Sequence, residues 1–142
     1  MKNIKYSCLS LLITFALSQA SFAQTTSLDN PKECPTINAV KAAGLTDATN
    51  GMLGWIAYTL NRYDSTDTWF FGVPVAAKDK DEAIKKGNEN INQFTEIEGP
   101  IKSPGDTWVC VYTSSNPYIL GLALTPVPSM NAAIANFVKF RK

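Results

Sequence analysis

The 142-residue sequence contains no histidine. That absence removes Ser-His-Asp and Cys-His nucleophilic catalysis and the commonest zinc ligand. Cysteine is scarce, with three residues and no C-x-x-C pair, so a dithiol redox centre is not expected. Charge is sparse and balanced, with a formal net of +1, and gives no reason to expect nucleic acid as a partner. No phosphate-binding glycine loop, dinucleotide fingerprint, calcium loop or nucleophile elbow is present. The reading is therefore of a non-enzyme, with no catalytic residue, no metal ligand and no cofactor.

What is present begins with residues 1–23. Lys2 and Lys5 precede an uncharged apolar run of about 10 residues, short of the roughly 20 that a bilayer span needs. Ser21-Phe22-Ala23 fits the small-x-small pattern that signal peptidase cuts, so these residues read as an export signal cleaved after Ala23. The expectation is an exported protein, periplasmic or secreted, with no transmembrane segment once the signal is gone. Cys8 leaves with the signal. The 119 residues that remain are enough for one domain and carry a net charge of −1, with Lys139, Arg141 and Lys142 gathered at the C-terminal end. Cys34 and Cys110 would then sit in an oxidising compartment, where two cysteines usually pair; the alternative is two free thiols.

Residues 24–33 are polar and read as a flexible N-terminal arm. Residues 34–142 read as a single disulfide-stapled α+β domain. Pro35 suits a first helical turn, and Ile37, Val40 and Ala43 follow at helical spacing until Gly44. Residues 46–51 have loop composition. Leu53–Tyr63 and Thr68–Val75 are rich in aromatic and β-branched residues and predict a hairpin. Asp79 opens a capping box with Glu82, and Ile84, Gly87, Ile91 and Phe94 make one helical stripe. Gly87 in that stripe suggests a close approach of helix to sheet. Residues 95–106, broken by Gly-Pro and Pro-Gly, read as a long connection. Thr107–Ser114 and Tyr118–Thr125 predict two more strands, the last apolar enough to be central or covered on both faces. Ser129 caps a final helix whose apolar arc holds Met130, Ala133, Ile134, Phe137, Val138 and Phe140. Its alternatives are packing on the sheet or lying on an anionic membrane. The predicted fold is α+β. Two helix-strand-strand units form a four-stranded antiparallel sheet with helices on one face, plus a C-terminal helix.

Strand aromatics are the candidate ligand contacts: Trp55, Tyr58, Trp69, Phe71 and Trp108. An open sheet face bearing them would bind sugar, peptide or another apolar ligand; otherwise they fill the core. Trp69-Phe70-Phe71 cannot share one face, so at least one of the three leaves the helix side. Asp64 with Asp67, and Glu96 with Glu98, supply carboxylates for a hydrolase of envelope or host polysaccharide, although acids also populate turns for local reasons. Asp79, Asp81 and Glu82 are explained by capping without a cation.

Cys34-Pro35 opening a short helix closed by Gly44-Leu45, a Trp-bearing strand, and Trp-Val-Cys-Val-Tyr at 108–112 together resemble a group of small exported proteins of unknown function, known mainly from Legionella and its relatives. The resemblance covers nearly the whole mature chain. It implies a single exported α+β domain and no assigned activity. The expected function is an exported binding module for an unidentified protein or glycan. The alternatives are a secreted effector or inhibitor that binds a protein surface, and the carboxylate hydrolase.

Overall fold

A computed structural model describes Pro31 and residues 33–141. The expected export signal, its cleavage after Ala23 and most of the N-terminal arm lie outside those residues. The chain runs α1 (Ile37–Ala43), β1 (Asp47–Gly51), β2 (Gly54–Asn61), β3 (Trp69–Val75), α2 (Lys80–Ile91), β4 (Glu96–Ser103), β5 (Thr107–Thr113), β6 (Leu120–Thr125) and α3 (Met130–Phe140).

Side-chain caps set the helix starts. The Thr36 hydroxyl accepts the Ala39 N–H at 3.2 Å. The Asp79 carboxylate accepts the Glu82 N–H at 2.9 Å, while Glu82 reaches one residue further back than a capping box requires, to the Lys78 N–H at 2.8 Å. The Ser129 hydroxyl accepts the Ala132 N–H at 3.3 Å. Gly44, at φ 67°, ends α1 in a conformation that only glycine enters freely, and its N–H closes on the Val40 carbonyl.

The six strands form one antiparallel sheet in the order β1-β2-β3-β6-β5-β4. This corrects the expectation of four strands. β2, β3, β5 and β6 lie where expected, but the loop at 46–51 and the connection at 95–106 are the two edge strands. β1 escapes notice because its strand buries just one of its five residues, Ala48. β4 escapes because Gly99-Pro100, read as punctuation, is absorbed by a register shift between Glu98 and Ile101. Proline has no N–H to give a second neighbour, so an edge strand accommodates it. Each half of the sheet is a three-stranded meander preceded by a helix, and the halves meet where β3 pairs with β6.

Side-chain alternation divides the core in two. On one face Trp69, Phe71, Val73, Cys110, Tyr112 and Ala123 pack beneath α1 and α2 with Val40, Ala83, Ile91 and Phe94. On the other Ile56, Phe70, Val109, Val111, Leu122 and Leu124 pack beneath α3 with Ala133 and Phe137. Helices therefore cover both faces, with α1 and α2 on one and α3 on the other. β6 is covered on both, as its apolar sequence predicts, and five of its six residues are buried. Gly87 brings α2 close to β2, since a Cβ there would lie 2.6 Å from the Ala57 Cβ. The Cys34–Cys110 disulfide, with Cα atoms 5.8 Å apart, ties the segment before α1 to β5. The Tyr112 hydroxyl reinforces that tie by donating to the Pro35 carbonyl at 2.5 Å.

Candidate binding groove

α3 touches both edges of the sheet. Asn136, buried, accepts the Ser103 hydroxyl of β4 at 3.0 Å and donates its amide to the Ala132 carbonyl at 2.9 Å. Two residues earlier, the Ile134 Cδ1 lies 3.0 Å from where a Cβ on Gly51 of β1 would stand. The edges of a flat six-stranded sheet would be about 24 Å apart, so strand twist must lift opposite corners of this sheet toward the helix.

Where the β1 corner meets α3 the fit is incomplete and leaves an open groove of ≈ 760 Å³. One wall is Thr49, Asn50, Gly51 and Met52 of the β1–β2 hairpin, and the other is Met130, Asn131, Ile134, Ala135 and Val138 of α3. No lining residue is charged. Met130 and Ile134 turn inward to the core, whereas Asn131, Ala135 and Val138, at i, i+4 and i+7, form a second stripe along the groove. Met52 is 96% exposed at the hairpin tip and Val138 is 56% exposed. Lys139 follows Ala135 by four residues and continues the stripe as its basic end. Among the described residues neither Lys139 nor Arg141 is ion-paired.

The candidate aromatics do not converge. Trp69 and Phe71 are wholly buried beneath α1 and α2, where Phe71 meets Tyr112 edge-on with ring centroids 5.0 Å apart. Phe70 leaves that face, as required, but lies buried beneath α3, so the Trp69-Phe70-Phe71 run fills both halves of the core. Trp55, Tyr58 and Trp108 are half-buried. Trp55 packs at the edge of the α1–α2 side, opposite Val75 at the end of β3. Trp108 pairs with Thr125 at the opposite end of the sheet, with the Lys102 ammonium 5.9 Å from its ring centre. Tyr58 lies on the α3 side, stacked on Phe70 at 5.3 Å.

The carboxylates are also dispersed. Asp64 accepts the Thr36 N–H at 3.2 Å and so helps fix the start of α1. Asp64, Glu96 and Glu98 are exposed and Asp67 is half-buried. Asp47 is the most engaged acid: Lys80 lies 2.5 Å from it and the Tyr58 hydroxyl donates to it at 3.1 Å. The Lys80 ammonium, helped by the Ala48 N–H, holds the Asp47 carboxyl below its usual range. The Tyr63 hydroxyl is buried without a hydrogen-bond partner among the described residues, and desolvation raises its pKa far above the ordinary tyrosine value. Among the described residues no group of three or more His, Cys, Asp or Glu side chains is placed to hold a metal ion. No helix among them is long and apolar enough to cross a membrane.

Sequence reasoning missed the groove. The available signal was the breadth of the apolar arc on α3: Val138 belongs to it but faces away from the sheet.

The chain is thus an α+β protein whose six-stranded antiparallel sheet lies between helices, with an uncharged groove at one corner. The family model for a domain of unknown function, DUF4949, matches residues 33–132, and the chain belongs to that family. The match takes in both disulfide cysteines and the hairpin wall of the groove, and it ends within α3. Neither a curated protein nor a solved structure matches the chain.

Proposed function

We propose that this protein is an exported, non-enzymatic binding module that holds an apolar ligand in the groove between the β1–β2 hairpin and α3. The observation that carries this reading is the groove itself: ≈ 760 Å³, uncharged throughout, with Met52 and Val138 turned to solvent at its margins. Apolar side chains exposed together beside a concavity characterise interaction surfaces. The Cys34–Cys110 bond supports residence in an oxidising compartment. The Cys34-Pro35, Gly44-Leu45 and Trp108–Tyr112 motifs support kinship with the exported Legionella-type group. A secreted effector or inhibitor would use the same groove on a protein partner. The hydrolase reading has less support, because a general-acid carboxyl is tuned by desolvation, and Asp64, Glu96 and Glu98 are exposed.

Amide chemical shifts test the assignment. The mature protein is titrated separately with octanoate, a tryptophan-containing tripeptide and a cello-oligosaccharide. Shifts confined to Thr49–Leu53 and Met130–Lys139 are expected with one of the first two. Saturable shifts centred on Trp55 or Trp108, or no saturable shift with any probe, would retire the groove.

A further inference from the structure

The two edges of the sheet are unequally protected. β4 carries the register shift at Gly99-Pro100 and the exposed charges Glu96, Glu98 and Lys102, all features that deter strand pairing. β1 has none of these. Its register with β2 is unbroken from Asp47 to Gly51, and its one charge, Asp47, is engaged by Lys80 and Tyr58. Among the described residues no strand lies on the outer side of β1. The groove runs along this edge, with β1 as one wall and the Asn131–Ala135–Val138 stripe as the other. A strand added to β1 would send every second side chain toward α3. The uncharged walls select apolar side chains. Lys139, 5.4 Å from the Phe140 ring centre and without an acidic partner among the described residues, stands at the end of the stripe and selects an acidic group.

We infer that the occupant of the groove is an extended peptide added to β1 as a seventh strand, its alternate apolar side chains entering the groove and an acidic residue meeting Lys139. This rests on the groove being a binding site.

Panning the mature protein with a phage-displayed library of random dodecapeptides supplies the probes. The strongest are resynthesised as free peptides, and as two versions N-methylated at alternate residues in opposite phase. Selected sequences are expected to alternate apolar residues and to carry an acid. One N-methylated phase should bind roughly fivefold or more weakly, since it removes hydrogen bonds to the strand edge, while the other binds nearly as before. Ala135→Glu should abolish binding, and Lys139→Glu should weaken it. Peptides that respond to Ala135→Glu but tolerate both N-methylation phases would overturn strand addition and leave the groove standing. Peptides indifferent to Ala135→Glu would overturn both readings. A library that yields no binder would overturn the peptide inference, with the groove then judged by the chemical-shift titration. A mature protein that sediments as a dimer, and as a monomer after Met52→Asp, would assign the edge to a second copy instead.

Discussion

Gly87 faces the sheet from α2, and a Cβ there would meet the Ala57 Cβ at 2.6 Å and the Leu45 Cδ1 at 2.7 Å. Helix propensity alone favours Gly87→Ala by about 1 kcal/mol. Overpacking against a strand costs about 1–3 kcal/mol, and the Ala57 Cβ cannot rotate away. The expected net is destabilisation, read as a lower urea midpoint; a raised midpoint would show that the helix can lift from the sheet. The two buried tyrosine hydroxyls should respond oppositely. Tyr63→Phe removes a hydroxyl without a partner and should be neutral or stabilising by up to about 1 kcal/mol. Tyr112→Phe strips the Pro35 carbonyl of its donor and should cost about 1 kcal/mol or more. Asp47 is a question of pH. Its folded-state pKa is depressed, so its contribution is present above the unfolded value and fades as pH falls through the folded one. Asp47→Asn should therefore be less stable than wild type near neutrality, with the two converging below about pH 4. Urea midpoints across pH check this, and a constant difference down to strongly acid solution would refute it.

At the scale of elements, legibility followed burial. Helices announced themselves through caps, as Asp79 and Ser129 show, and the inner strands through dense apolar sequence. The edge strands did not, because a strand with one neighbour and one buried residue needs little apolar sequence. Asp-Ala-Thr-Asn-Gly and Glu-Ile-Glu-Gly-Pro each contain turn-formers, Asp, Asn, Gly or Pro, which pairing with the adjoining strand holds extended. The groove stayed hidden for a related reason. The periodicity of α3 gives an apolar arc but not how much of it the sheet covers. Asn136, outside the expected arc, is buried against Ser103, while Val138, inside it, is exposed. The disulfide was readable from compartment and count, and its reach is long. Cys34 and Cys110 are 76 residues apart, for which the loop-entropy argument gives about 4.5 kcal/mol. The Cys34→Ser/Cys110→Ser variant should lose about that much in urea denaturation; a loss under about 1 kcal/mol would mean that the reduced chain is already confined.

At the scale of the whole molecule the halves are interlocked. α2 leaves the first meander and returns over β1, β2 and β3, while the segment before α1 is bound to β5 of the second. The cores on both sheet faces run across the β3–β6 seam and draw residues from both meanders. Unfolding followed by tryptophan fluorescence and by far-ultraviolet circular dichroism should therefore coincide in one transition. Separated midpoints would show that one half stands alone. The seam between the halves pairs Phe71 with Ala123, residues far apart in order of synthesis. A ribosome releases β3 long before β6, and until β6 emerges neither meander has its inner neighbour. The seam thus cannot close until nearly the whole domain has been made, so its two sides wait on the last strand of the sheet.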